Sequence, residues 1–114
     1  MTKHLWVEEF PAAITVCNSK GIILEMNDRA VRAFHEQGGK KLIGKNLLDC
    51  HPEYARAKLR QLMEARQRNV YTIQKERVRK LIYQSPWYRD GKYSGLVEIS
   101  LEIPERIRHF VRDG

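Results

Sequence analysis

Cys50 and His51 are neighbouring side chains with metal-binding chemistry, because a thiolate and an imidazole are both iron ligands. The other histidines, His4, His35 and His109, have no metal-ligand spacing with one another. The sequence also contains no nucleophile elbow, no phosphate-binding glycine loop and no metal triad. We therefore expect neither a metal centre nor an enzyme, and the role of Cys50 and His51 stays open.

A β-hairpin is predicted over residues 79–103, where two strand-like runs flank Asp90-Gly91. Asp-Gly between apolar runs is a strong hairpin signal, because both residues adopt left-handed turn conformations. A two-residue turn at this point pairs Gln84 with Val97. One face is then expected to carry Ile82, Gln84, Val97, Ile99 and Leu101, and the opposite face Leu81, Tyr83, Ser85, Trp87 and Leu96.

Gln84 is the polar side chain on the first of these two faces. A buried amide without a partner costs about 1–3 kcal/mol, so it must bond to protein, water or ligand. Either Gln84 orients a ligand in an apolar pocket, or a neighbouring side chain or backbone group satisfies it. The predicted pocket is lined by Ile14, Val16, Met26, Phe34, Leu47, Leu59, Met63, Ile82, Gln84, Val97 and Ile99.

The opposite face of the hairpin is also largely apolar and therefore needs a cover. A second subunit is one candidate cover, and the N-terminal segment is another. The predicted interface residues are Trp6, Phe10, Leu81, Tyr83, Trp87 and Leu96. Glu98 is expected to pair with Tyr83 on this face, a placement that suits an interface better than proton transfer.

A first hairpin is predicted from ITVCN and IILEMN, joined by a three-residue loop that ends in Gly21. Its register places Ile14, Val16, Leu24 and Met26 on one face, and Thr15, Cys17, Ile23 and Glu25 on the other.

Helices are predicted between the two hairpins. Asn27 or Asp28 caps a short helix, and residues 53–68 form a long amphipathic helix. The strand VYTIQK follows, and Pro104 ends the last strand. Antiparallel strands with grouped helices predict an α+β domain, one sheet with helices on one face. We expect a flanking segment at 1–10, the domain at 11–103 and a basic tail at 104–114.

The composition is that of one globular domain of 114 residues. The net charge of +7 comes from basic residues spread between Lys3 and Arg112, without an RNA-binding aromatic signature. We therefore expect no nucleic-acid partner. The sequence shows no long apolar run and no secretory signal, so we expect a cytoplasmic protein without membrane contact.

The element order and several short motifs resemble the PAS domain, a small sensory module of bacterial signalling proteins. The similar stretches are ITVCNSKGIILEMNDRAVRAF, LIGKNLLDCHPE and SPWYRDGKYSGLVEISLEI, which extend over about residues 11–103. The motif positions are Gly21, Asn27, Leu42-Ile43-Gly44, His51-Pro52, Ser85-Pro86, Arg89-Asp90-Gly91 and Gly95. The resemblance implies a five-stranded antiparallel sheet with helices on one face, in the order ββαααβββ.

The resemblance also bears on cofactors. Flavin-photosensor PAS domains carry a reactive Cys in the run that corresponds to Asn46–Cys50, and here Leu47 occupies that Cys position. Haem-binding PAS domains commonly take an axial His from the long helix, which has no His in this chain. His51-Pro52 belongs to the plain PAS pattern. Neither flavin nor haem is expected, and the cofactor stays unknown.

The resemblance implies a sheet and helices that enclose a small-molecule pocket, and an outer sheet face used for dimerisation or for docking a flanking helix. We therefore expect a sensory module that binds a small ligand in this pocket and forms a homodimer through the outer face, with a signalling protein as a candidate partner. The alternative is a ligand-free interaction and dimerisation module, in which the predicted pocket residues are simply core.

Overall fold

Within residues 5–114, which the computed structural model describes, five strands form one antiparallel sheet. The first four residues of the predicted N-terminal segment, with His4, lie outside the described residues. The elements are α1 Leu5–Glu8, β1 Ala13–Asn18, β2 Ile23–Met26, α2 Asp28–Ala33, α3 Glu53–Ala65, β3 Asn69–Lys75, β4 Val78–Arg89 and β5 Lys92–Ile103. The strand order β2-β1-β5-β4-β3 places the last strand at the centre. The predicted α+β, five-stranded fold is confirmed.

The β4–β5 hairpin turns at Asp90-Gly91 as predicted, with φ angles of 52° and 76°. Its register nevertheless shifts by one residue between Trp87 and Tyr88. Gly95 accounts for the shift, because its φ of 144° favours glycine and a Cβ there would overlap the carbonyl oxygen of Cys17. β5 can pair with β1 at this position only because residue 95 has no side chain.

The shift exchanges the two predicted faces of β5, because side chains alternate along a strand. Gln84 pairs with Glu98 rather than with Val97, and Tyr83 pairs with Ile99 rather than with Glu98. The inner face carries Ile82, Gln84, Leu96, Glu98 and Ser100, and the outer face carries Leu81, Tyr83, Val97, Ile99 and Leu101.

The first hairpin has the predicted loop, in which Gly21 has a φ of 86°. A second irregularity lies between Val16 and Cys17, so that Thr15 pairs with Met26 and Cys17 with Ile23. The predicted faces are therefore wrong in part. Ile23 and Met26 both point into the core, Leu24 is exposed, and Ile14 and Val16 lie on the outer face.

Asn27 fixes the start of α2 and ties three segments together. Its Oδ1 accepts hydrogen bonds from the backbone N–H of Ala30, at 3.1 Å, and of Ile14, at 2.9 Å. Its Nδ2 donates to the carbonyl oxygens of Ala12, at 2.7 Å, and Val7, at 3.0 Å. The predicted cap is confirmed, and the same side chain also anchors α1 and β1.

The core lies between the inner sheet face and the helices. Its buried side chains are Cys17, Ile23, Met26, Ala30, Leu42, Leu47, Leu59 and Leu96. Turns of 3-10 helix at His35–Gln37, Gly39–Leu42 and Leu47–Cys50 connect α2 to α3 and supply part of this core. α3 ends at Ala65, earlier than predicted, where Arg66 adopts a left-handed conformation.

Candidate functional site

A chain of hydrogen-bonded side chains crosses the inner face from β3 to β5. Asn69 Nδ2 donates to Gln84 Oε1 at 2.9 Å, and Gln84 Nε2 donates to Glu98 Oε1 at 2.7 Å. Asn69, Gln84 and Glu98 are direct cross-strand neighbours, and Thr15 on β1 continues the row. A neighbouring side chain therefore satisfies each end of the Gln84 amide, as one of the two alternatives for this residue predicted.

Glu98 determines which groups donate and which accept along this row of hydrogen bonds. An ionised carboxylate accepts hydrogen bonds and donates none, so the Gln84 amide must turn its nitrogen toward β5 and its oxygen toward Asn69. Gln84 is only 5% exposed, which makes this orientation costly to lose. The amide still has one further N–H and one further lone pair for bonding.

Gln84 and Asn69 also line a cleft of about 250 Å³ between α3 and the sheet. The remaining lining residues are His51, Tyr54, Ala55, Lys58, Leu59 and Tyr71. Apolar, phenolic and amide groups surround this space, with Lys58 as the cation. Burial raises the pKa of Tyr71, and the Glu98 carboxylate adds to the effect, so its phenol stays protonated and able to donate. The arrangement suits a small molecule with polar groups.

His51 stands at the start of α3 in a fixed orientation. Its Nδ1 lies 2.9 Å from the carbonyl oxygen of Leu47, and the backbone carbonyl oxygen of His51 accepts a hydrogen bond from Arg56 Nε at 2.9 Å. Because a carbonyl oxygen only accepts, Nδ1 carries a proton and donates to Leu47. His51 thus lines the cleft as a polar group.

The cysteines are free thiols. Burial raises the pKa of Cys17 and of Cys50, and the neighbouring Asp49 carboxylate also raises the pKa of Cys50. Both side chains are therefore thiols rather than thiolates at neutral pH. Among residues 5–114, no three His, Cys, Asp or Glu side chains are grouped to hold a metal ion.

The predicted pocket residues occupy four different places: the inner sheet face, the cleft, the core and the outer sheet face. Ile82 and Gln84 lie on the inner face, Leu59 lines the cleft, and Met63 packs against the core. Met26, Phe34 and Leu47 surround a filled region of the core that leaves no volume for a water molecule. Ile14, Val16, Val97 and Ile99 lie on the outer face, so their predicted position under the sheet is wrong.

Several of the residues that line the cleft were not predicted from the sequence, namely His51, Tyr54, Lys58, Asn69 and Tyr71. The alternation of Asn69 and Tyr71 in β3 was an available signal, since residues two apart share a face. Lys58 and Ala55 lie one helical turn from each other on α3, which places both on the side of the helix facing β3.

The predicted interface residues are also divided. Leu81 and Tyr83 lie on the outer face, and Arg68 contacts the Tyr83 ring at 5.9 Å. Leu96 is an inner-face core residue with 2% exposure, so its predicted position is wrong. Trp87 Nε1 donates to the Cys17 carbonyl oxygen at 2.9 Å, which holds this ring against β1.

Trp6 and Phe10 contact each other edge to face, with ring centroids 5.8 Å apart. They are 67% and 42% exposed, so each ring still presents much of its surface to solvent.

The chain belongs to the PAS fold family, whose family model matches residues 4–109. PAS domains are commonly regulatory, sensory modules of kinases and receptors. No curated protein matches the chain. Within residues 5–114, no helix has the length and hydropathy required to cross a bilayer.

Solved structures share the fold at low sequence identity. A C-terminal domain from Streptococcus mutans has a TM-score of 0.72 and 21% identity, over 86% of this chain and 80% of that one. The PAS domain of Bordetella pertussis BvgS has a TM-score of 0.65 and 14% identity, over 90% and 84%. A sensory box histidine kinase from Vibrio cholerae has a TM-score of 0.61 and 13% identity, over 90% and 88%.

Proposed function

We propose that this PAS domain is a non-enzymatic sensory module that binds a small molecule in the cleft between α3 and the sheet. The supporting observation is that Asn69 and Gln84 line the cleft and connect by hydrogen bonds to Glu98 in the central strand. A ligand that bonds to the Asn69 N–H, or to the N–H or lone pair that Gln84 already uses, competes for these hydrogen bonds. Binding then favours a different arrangement of the row, which is the differential affinity that a sensor needs.

Filling the cleft tests this proposal. Ala55 lines the cleft, and Ala57 is an exposed residue of the same helix outside it, so Ala55→Leu and Ala57→Leu form a matched pair. Native and denatured masses of the protein purified from cells are compared. We expect extra non-covalent mass on the wild type and on Ala57→Leu, and its loss from Ala55→Leu. Retention by Ala55→Leu would place the ligand elsewhere.

The outer sheet face supports the second part of the proposal, a homodimer. Leu81, Tyr83, Val97 and Ile99 form an apolar surface there, while the core cluster lies on the other face. Charge at the centre of this surface opposes association. Ile99→Glu is therefore expected to disrupt the outer-face contact and to lower the mass measured by light scattering, and Ile107→Glu, on the exposed tail, to leave that mass unchanged. A mass unchanged by Ile99→Glu would contradict the outer-face contact.

A ligand-free dimerisation module is the second candidate. The filled core around Met26, Phe34 and Leu47 favours it, as does the pairing of Gln84 with protein groups. A bare dimer in native mass spectra, with no Ala55→Leu effect, would favour this candidate. We place the protein in the cytoplasm, where its two free thiols stay reduced, with a signalling protein as its partner.

A further inference from the structure

The two edges of the sheet differ in how their backbone groups are used. At the β2 edge, Gly44 N–H donates to the Ile23 carbonyl oxygen and Ile23 N–H donates to that of Lys45, both at 2.8 Å. Leu47 N–H similarly donates to the Gly21 carbonyl oxygen at 2.7 Å. The loop after α2 therefore blocks this edge against another strand.

The β3 edge has no such cover among the described residues, where the backbone of β3 pairs with β4 alone. β3 is seven residues long, and its apolar residues Val70, Tyr71 and Ile73 are 46%, 42% and 45% exposed. Its single charged residue is Lys75, at the end. A long, regular and nearly uncharged edge is a template for an added strand.

We propose that β3 pairs with β3 of a second copy of this chain, antiparallel and centred on Thr72. This register places Tyr71 opposite Ile73 of the second copy, twice by symmetry. An aromatic residue opposite a β-branched one is a favourable cross-strand pair. Thr72 faces its own symmetry mate, which is also a favourable pair.

Charge favours a second copy over an unrelated strand. In the same register, Lys75 lies opposite Asn69 of the second copy, and Arg68, just before β3, comes near Glu76, in the turn just after β3. Opposite charges therefore meet on both sides of the two-fold axis, and no like charges face each other directly. The contact is isologous, as a closed dimer requires.

Cysteine cross-linking tests the edge and its register together. In a Cys50→Ser background, Thr72→Cys places two thiols opposite each other on the axis. Gln74→Cys, also exposed and on the same side of β3, places them about four residues, roughly 13 Å, apart, which a disulfide cannot span. We expect Thr72→Cys to form covalent dimers at least about tenfold faster than Gln74→Cys. Equal rates, or no dimer from Thr72→Cys, would overturn the proposal.

Thr72 and Gln74 both point to the outer face, so an outer-face dimer would also bring cysteines at these positions near the second copy. Adding Ile99→Glu removes that contact from the test. A preference for Thr72→Cys that persists in this variant belongs to the edge, and one that disappears overturns the edge contact.

Sedimentation of Thr72→Lys and Thr72→Val in the Ile99→Glu background gives an independent measurement. Paired lysines on the axis should abolish association, and valine should preserve it. A dimer that survives Thr72→Lys contradicts the proposal. None of these results depends on a ligand in the cleft.

Discussion

Gln84 and Glu98 face each other on β4 and β5, joined by a hydrogen bond of 2.7 Å from Nε2 to Oε1. The contact couples a 5% exposed amide of the cleft to a carboxylate of the central strand. Because the carboxylate only accepts, the amide has one favoured orientation, which in turn presents its oxygen to Asn69. Any group that enters the cleft at Asn69 or Gln84 therefore meets amides whose donor and acceptor atoms already have fixed orientations.

Gln84→Leu is expected to destabilise the protein by about 1–3 kcal/mol, because Glu98 and Asn69 both lose a partner in a partly buried place. Glu98→Leu alone leaves the Gln84 amide without its acceptor and should cost a similar amount. The double variant removes both polar groups, so its cost should be well below the sum of the two. Urea unfolding of the four proteins measures this coupling, and additive costs would mean that the hydrogen bond contributes nothing.

Gly95→Ala is expected to destabilise the fold by more than about 3 kcal/mol, since a Cβ would overlap the Cys17 carbonyl and lie 2.7 Å from the Asn18 carbonyl carbon. Gly91→Ala is the matched control, because Gly91 also has a positive φ, of 76°, but its Cβ would meet no atom within 4 Å. Its cost should be about 1 kcal/mol, from the backbone conformation alone. Thermal unfolding followed by circular dichroism compares them, and equal costs would show that β1 can move away from Gly95.

Asn27→Ala is expected to cost about 3 kcal/mol or more, because it leaves two N–H groups and two carbonyl oxygens without their partner. Asn46 is a matched control, since its Oδ1 caps the turn at Leu48 at 2.9 Å while its Nδ2 bond to Lys20 is exposed. Asn46→Ala should cost about 1 kcal/mol, as an ordinary cap does. Denaturant unfolding gives both values, and equal losses would contradict a special anchoring role for Asn27.

Local chemistry made part of this fold predictable. Asp90-Gly91, Gly21 and Asn27 each do what their residue type favours, independently of distant contacts. The registers failed because one extra residue in a strand moves every later side chain to the other face. Gly95 inside a strand pattern was a usable signal of such a bulge. The irregularity at Val16 has no comparable signal, since its neighbours are ordinary strand residues.

The candidate site was predictable to a smaller extent. Gln84 stood out because it is polar among apolar neighbours, and it does lie on the inner face. The Glu98 carboxylate opposite it could be found only with the correct register. The cleft itself depends on how α3 approaches Asn69 and Tyr71 across the sheet, which is a non-local packing result that no periodicity reports.

Tyr93 is expected to make the stability of the folded protein fall at alkaline pH. Its hydroxyl is buried and has no hydrogen-bond partner among residues 5–114. Burial raises the pKa of Tyr93, an effect that the Arg66 guanidinium above the ring, at 4.5 Å, opposes. The folded protein therefore holds this proton at a pH where the unfolded chain, with a tyrosine pKa of 10.0, has released it. Stability must then fall as the pH rises above the unfolded value, and must level off above the folded one.

Tyr93→Phe removes this titrating hydroxyl, so the free energy of unfolding should decline less steeply between about pH 9 and 11 than in the wild type. Cys17, Cys50 and Tyr71 retain their own raised pKa values and supply the remaining slope. At pH 7 the variant should be more stable by about 1 kcal/mol, because a buried hydroxyl without a partner is lost. Tyr54→Phe is the control, since Tyr54 is 84% exposed. Urea titrations across this pH range would contradict the assignment if Tyr93→Phe lowered stability at pH 7 or left the alkaline slope unchanged.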